Sequence, residues 1–437
     1  MAAQREQNFH LTKRIVLRLM EGFMIRRSES LTIMALVLLL IAADAFADDA
    51  TVLPQGVFRF AVDGLISLPI TKRFTKDGSK EDIATDFNTN LNSGTFPDLA
   101  LVEAGFGMPA GSATFGRSVV DFKRHIQIYN FQLSYGVTDR LSLGINVPYW
   151  NQKIDVKANL DSSTATVGFN PLVPGGVAPI GFAGTPVPTT NDIQTFLGSL
   201  GFRRVADWSG NSFGDIVAGA RYQYYKSKNW RLAATGGVQF PTGKWDDPNN
   251  LVDNNTGYDA WGLKLQLQQD YIYQAGGAKE PSPVLLPGDF FINTVFGYNP
   301  IFPDTKPFRV CDPHRPVCPD FDKNVRRNTG DVFEAGISGT LALLFKGLTL
   351  SAYYNYEYKM KDNFRGKLGF DYDALVIESD YRSHIVVGKL SYSTLPLYLE
   401  KSFPIPLNAS IVYRERVAGT NNQFNSRYIG FSIEGYL

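Results

Sequence analysis

The sequence predicts an all-β protein: a closed antiparallel transmembrane β-barrel of about twelve strands, with fourteen as the alternative count, long external loops and short periplasmic turns. Three observations carry this expectation. Apolar and polar residues alternate with period two along segment after segment. Short and long connections between those segments alternate along the chain, as in outer-membrane barrels. Aromatic side chains gather near segment ends on the apolar face. Composition removes the competing classes. The 437 residues carry 43 basic and 42 acidic side chains, a net charge of +1, which gives no basic excess for nucleic acid. A hydrophobic content of 44% with 13% aromatics excludes a disordered chain. Only one long apolar run occurs, from Leu31 to Ala43, so a multispan helical protein is excluded.

That run reads as an export signal over residues 1–47. Arg26 and Arg27 precede it, and Ala45-Phe46-Ala47 supplies the small-x-small pattern before Asp48. A signal of ordinary length would begin at Met24, which makes Met24 a second candidate start. Removing 1–47 leaves 37 basic and 38 acidic residues, net −1, and a barrel domain over 48–437.

The expected strands are 56–66, 122–136, 141–151, 213–225, 230–241, 260–273, 289–299, 331–344, 348–360, 384–393, 404–415 and 426–437. In the third, Leu141, Leu143, Ile145, Val147 and Tyr149 share one face, and Ser142, Gly144 and Asn146 the other. In the last, Ile429, Phe431, Ile433 and Leu437 oppose Tyr428, Ser432 and Glu434. Alternation alone also fits a soluble sandwich, so the connections decide. Val137–Arg140, Lys226–Asn229 and Phe345–Gly347 are tight turns, whereas 70–118, 158–212, 242–258, 300–329, 361–382 and 417–425 are long. The stretches near 274–288 and 394–403 are long for periplasmic turns, which is where two extra strands would fit. Tyr129, Tyr135, Tyr149, Trp230, Phe240, Trp261, Tyr354, Tyr356, Tyr358 and Tyr392 fall near strand ends on the apolar face, as interfacial girdles do.

If the apolar face meets lipid, the opposite face lines a lumen. Alternation puts Arg59, Asp63, Asn146, Arg221, Arg231, Gln239, Lys264, Gln266, Gln268, Asp270, Glu334, Ser338, Asn355, Glu357, Lys389, Arg414 and Glu434 there. Both signs are mixed, with no single-sign ring of the kind a strongly selective ion pore uses. These residues either stiffen the wall as a hydrogen-bonded plug or flank a solute path. In the loops, Phe106, Phe115, Phe182, Phe196, Phe202 and Trp208 either form an apolar entrance or pack the loops together.

Catalysis is not expected. The chain beyond residue 47 has three histidines, His125, His314 and His384, and Ser383 and His384 are strand neighbours that point to opposite faces. No phosphate loop or dinucleotide fingerprint is present, and no cofactor is expected. Cys311 and Cys318 are read as a local disulfide in an exported chain; a zinc site there lacks a fourth ligand. Asp246, Asp247, Asn249, Asn250, Asp253, Asn254 and Asn255 do not follow calcium-loop spacing and are read as a solvated polar loop, so no metal is expected.

Four stretches carry a family resemblance: Leu53–Arg59, Leu133–Tyr149 with its Tyr-Gly-Val-Thr-Asp-Arg-Leu turn, Phe213–Ile216 and Gln239–Gly243. They resemble the outer-membrane transporter family of the meta-pathway of phenol degradation. The resemblance implies an outer-membrane barrel that admits small hydrophobic or aromatic compounds; it assigns no binding residues. The Asn-Pro-Ala plug signature of the fatty-acid and toluene channel family is missing, which argues against an N-terminal hatch. The expectation is a monomer in the cell outer membrane that passes small apolar solutes passively. Its partners are outer-membrane lipid, lipopolysaccharide and, during biogenesis, the barrel-assembly machinery. The alternative is a structural or adhesive barrel with a closed lumen and ligand-binding loops.

Overall fold

The computed structural model describes residues 49–275, 285–315 and 317–437; the segment read as an export signal, 1–47, lies outside the described residues. β-branched and aromatic residues in alternation build twelve staves: β1 Phe58–Ser67, β2 Thr114–Thr138, β3 Leu141–Asp161, β4 in two pieces (Trp208–Phe213 and Val217–Lys226), β5 Trp230–Gln239, β6 Gly262–Tyr273, β7 Phe290–Asn299, β8 Val332–Ala342, β9 Leu348–Lys359, β10 Tyr381–Ser393, β11 Leu407–Gly419 and β12 Arg427–Tyr436. Each pairs antiparallel with its sequence neighbour, and β12 returns to β1 with Arg59 opposite Tyr436. The two free ends of this order are the two pieces of β4, so one strand closes the cylinder.

The barrel is inside out compared with a soluble core. On its outer face Ile411 is 66% exposed and Phe296 63%, in a belt that continues through Leu267, Ile337 and Ile429. Its inner face buries Arg221, Gln268 and Asp270. An apolar belt of that extent has no place in water and matches the hydrocarbon layer. No described helix is long and apolar enough to cross a membrane.

Three tight turns join β2 to β3, β4 to β5 and β8 to β9. The longer connection 394–406 holds a short helix, Leu395–Leu399, and no strand, so the count is twelve. Where the ranges differ from expectation, the difference is systematic. β2 and β3 have 25 and 21 residues, because their pairing continues beyond the apolar belt through outward-facing Lys123, His125, Lys153, Asp155 and Lys157. From Gln127, opposite Ile66 of β1, the ribbon rises thirteen more residues to Thr114, roughly 40 Å at strand rise.

The expected fourth strand, 213–225, is not continuous. Its upper piece pairs with Tyr149–Ile154 of β3, and its lower piece pairs with β5. Between them Gly214 donates its N–H to the Pro148 carbonyl (2.8 Å). Pro148 has no N–H to return. Below this point Leu141–Val147 and Val217–Gln223 face each other without a ladder. Gln223 N–H bonded to the Arg140 carbonyl (2.8 Å) ties the lower end.

The external loops fold into a cap with its own core. The helix Thr190–Ser199 starts on a Thr189–Asp192 capping box. Its Ile193 and Leu197 pack with Phe96, Phe115, Val120, Phe122, Ile154 and Phe202. Phe115 stacks on Phe169 at 4.5 Å and Phe96 meets Phe196 edge-on at 5.1 Å. Phe115, Phe196, Phe202 and Trp208 therefore pack loops together, whereas Phe182 is exposed against Phe106.

Candidate functional site: a filled lumen beneath a capped chamber

Lumen contents follow from strand register. Arg59 Nε lies 3.1 Å from Glu434 Oε2, Arg59 also donates to Gln132 Oε1 (3.2 Å), and Gln132 donates to Asp63 (2.8 Å). On β4, β5 and β6 Arg221 Nε donates to Thr235 (3.0 Å), Thr235 to Gln268 (3.1 Å), and Gln268 to Gln266 (3.0 Å). Lys264 Nζ is 3.6 Å from Glu334, which accepts from Asn299 (2.8 Å). Gln239 donates to Asp215 (3.1 Å), and Glu357 accepts from Tyr381. Arg231 sits across the ladder from Asp270, and Arg414 lies 5.9 Å from the Tyr428 ring. Lys389 is half-buried on β10, while Asn146 on β3 and Ser338 on β8 are buried; Asn355 is half-buried. The candidates thus form several separate wall clusters rather than one constriction.

A residue set that alternation missed lies against the inner wall of β3, β4 and β6. The chain before β1 turns into the lumen and is bonded to the inner wall. Arg221 Nη1 donates to the Asp49 carbonyl (2.6 Å), Ala50 N–H donates to Asp270 Oδ1 (2.9 Å), and Gln223 Nε2 donates to the Ala50 carbonyl (2.6 Å). Leu53 N–H reaches Ser142 Oγ (2.8 Å). At Gly136 any Cβ would lie 1.9 Å from the Pro54 carbonyl oxygen, so glycine is what lets the segment pass the wall.

Above the lumen, the cap holds a partly open cavity of about 300 Å³. Its apolar lining is Phe87, Leu91, Phe96, Val120, Leu160, Ile193, Leu197, Val205 and Leu251, interrupted by polar Asn92, Thr95, Asn159 and Gln194, and Asp86, His314 and Arg315 also face it. The Cys311–Cys318 disulfide closes the short loop that brings His314 there. His314 Nδ1 is 3.1 Å from Asp86 and Nε2 is 3.3 Å from Glu378. Partial burial opposes charge on this imidazole, but the two carboxylates outweigh it and raise its pKa. A smaller cavity of about 170 Å³ adjoins, sharing Phe87 and Leu251 and reaching Arg73, Arg124, Asn422 and Phe424.

The loop expected to be solvated is instead packed into this cap. Arg309 donates to Asn249 Oδ1 from Nε (3.1 Å) and Nη2 (2.8 Å), and Arg203 pairs with Asp247 at 2.7 Å. Burial, aided by Asp253, pushes the Asp246 carboxyl up to about 6. Among the described residues no group of three His, Cys, Asp or Glu side chains is arranged to hold a metal. Ser383 and His384 diverge: Ser383 Oγ accepts from Arg416 (2.8 Å) on the inner face, while His384 Nδ1 meets Tyr354 OH (2.7 Å) outside.

Fold and belt together define an integral outer-membrane β-barrel whose lumen is filled and whose external mouth is capped. The family model described as "Putative MetA-pathway of phenol degradation" matches residues 160–279, from the top of β3 past β6. Of the four stretches behind the resemblance, Phe213–Ile216 and Gln239–Gly243 fall inside that match and the other two precede it. Among solved structures the chain is similar to an outer membrane channel from Pseudomonas putida F1, at 13% identity over 90% of this chain and 99% of that one, with a TM-score of 0.50. It also aligns with a FadL homologue from Pseudomonas aeruginosa (11% identity, 90% and 93% covered, TM-score 0.31). The translocator domain of the autotransporter NalP from Neisseria meningitidis aligns at 8% identity (89% and 90% covered, TM-score 0.34). The first of these likenesses is one of fold. No curated protein matches the sequence.

Proposed function

We propose that this barrel is a passive outer-membrane route for small apolar or aromatic solutes and is not an enzyme. The observation that carries the reading is the capped, largely apolar cavity of about 300 Å³ standing over a lumen packed with polar side chains. A water-filled pore needs the reverse: an open mouth and a continuous polar bore. A cavity of this size matches the low end of small-ligand sites. The family match and the outer membrane channel from P. putida are consistent with transport. The proposal requires a monomer in lipid and lipopolysaccharide, delivered by the barrel-assembly machinery, with no cofactor.

The filled lumen favours one competing reading, a structural or adhesive barrel. Refolded protein in planar bilayers and liposomes separates the two. The transport reading expects faster entry of a small aromatic probe with low ion conductance. Silence in both assays, from a barrel shown intact by heat-shifted gel mobility, overturns it in favour of the structural reading.

A further inference from the structure

The inner face of β2 carries an apolar stripe as it leaves the membrane: Phe122, Ile126 and Ile128 are all buried. One cation interrupts it. Arg124 is 8% exposed, and its backbone is pinned by reciprocal hydrogen bonds with Ile70 (2.9 and 3.0 Å). Its guanidinium lies 4.4 Å from the Phe424 ring and lines the smaller cavity. Nε and Nη1 are buried and meet no hydrogen-bond partner among the described residues. No described carboxylate forms a salt bridge with it; Asp253 and Tyr428 act on it only at longer range. The neighbouring Arg73 is already committed to Glu81 (2.7 Å) and Asp86 (2.5 Å). Desolvation lowers the pKa of Arg124 to about 10, which leaves it cationic at neutral pH.

A buried cation with idle donors in an apolar recess is costly unless an anion completes it. Guanidinium is the side chain suited to carboxylate recognition, and its face is already engaged by an aromatic ring. Phe87 and Leu251 line both this recess and the larger cavity, so the two adjoin. We infer that the two cavities form one elongated site for an apolar monocarboxylate, its tail in the larger chamber and its carboxylate on Arg124. The inference rests on the transport reading above and names the solute class for it.

The test uses the full barrel in lipid nanodiscs with empty-disc subtraction. Calorimetry would compare 4-phenylbutyrate with its neutral amide, and octanoate with octanamide, at pH 7. The wild type is expected to prefer acid over amide by about tenfold or more. In Arg124→Gln the ratio should fall to about twofold or less, and Arg124→Lys should retain an intermediate ratio. Which of the two tails binds tighter identifies an aromatic or an aliphatic solute. Equal binding of acid and amide by the wild type overturns the carboxylate inference while leaving the apolar-solute reading standing. So does an acid preference that survives in Arg124→Gln. Absence of binding by every ligand up to about 1 mM overturns both. The wild-type ratio decides even if Arg124→Gln fails to show the heat-shifted mobility of a folded barrel.

Discussion

Replacing Ala50 with proline tests whether the N-terminal segment is what occupies the bore. Among the described residues four hydrogen bonds hold Asp49–Thr51 in the lumen: Arg221 to the Asp49 carbonyl at 2.6 Å and to the Thr51 carbonyl at 3.5 Å, Gln223 to the Ala50 carbonyl at 2.6 Å, and Ala50 N–H to Asp270 at 2.9 Å. Proline at position 50 removes the Ala50 donor and leaves the buried Asp270 oxygen without it. A hydrogen bond of this kind contributes about 0.5–1.5 kcal/mol net. Each 1.4 kcal/mol is a factor of ten, so the ratio of docked to undocked segment should fall by about 2–10-fold. Single-channel recording should then show openings more frequent or longer by about the same factor. A chain beginning at Leu53 gives the limiting conductance, since it lacks every tether to Arg221, Gln223 and Asp270. The reasoning is refuted if both variants form heat-modifiable barrels whose conductance matches the wild type. In that case the wall side chains alone close the bore.

Other perturbations read different parts of the molecule. Gly136→Ala places a methyl group against the Pro54 carbonyl oxygen, so it should raise conductance in the same direction as Ala50→Pro; unchanged conductance would mean the segment reroutes without undocking. Cys311→Ser opens a ring with a sequence separation of 7. Loop-closure entropy puts its contribution to holding the cap at about 2.5 kcal/mol. Protease should therefore cut near 311–318 faster while heat-shifted mobility stays unchanged. Asp246 has a folded pKa of about 6, raised chiefly by burial and then by Asp253. For a carboxyl shifted upward, the fold disfavours the ionised form. The cap should thus be firmest below the usual carboxylate range, weaken as pH rises through about 6, and change no further above it. The side chain is half-buried, so the effect is discounted to about 2 kcal/mol. Asp246→Asn should abolish the difference in hydrogen-exchange protection of residues 244–256 between pH 4 and pH 7, and a persisting difference would implicate another group.

The barrel was legible because its two faces differ in chemistry at every second residue. Ile429, Phe431 and Ile433 against Tyr428, Ser432 and Glu434 needed no tertiary information, since one face meets lipid and the other does not. The tight turn between β2 and β3 announced itself through Thr138-Asp139-Arg140, where Thr138 Oγ1 accepts the Arg140 N–H. The N-terminal segment gave no such sign. It is held chiefly through the Asp49 and Ala50 carbonyls, which every residue possesses, and the Ala50 N–H, which every residue but proline possesses, so the missing Asn-Pro-Ala signature said nothing about docking. Arg124 did leave a trace, as a lone cation on the stripe Phe122, Ile126 and Ile128. That position was inside the expected second strand, but its solitude becomes meaningful only once the loops close over it.

The break in β4 shows the limit of pattern reading most sharply. Val217, Gly219, Arg221 and Gln223 alternate as well as any stave, and alternation reports only how one strand meets its two faces. Whether a ladder exists depends on what the neighbouring strand offers. Pro148 offers β4 a carbonyl but no N–H. Asp215, immediately after the glycine, accepts the N–H groups of Gly243 (2.9 Å) and Tyr258 (2.6 Å) from the adjoining loop. A Cβ at Gly214 would meet the Thr256 carbonyl oxygen and Trp150 Nε1, each at 2.8 Å, so the kink also requires glycine. Pro148, the Gly214-Asp215 pair and the 243–258 loop therefore decide one discontinuity together. The motif Phe213-Gly-Asp-Ile216, which carried part of the family resemblance, is the point where they converge. Its sequence specificity comes from the departure from strand geometry, because a regular stave there would have accepted almost any alternating residues.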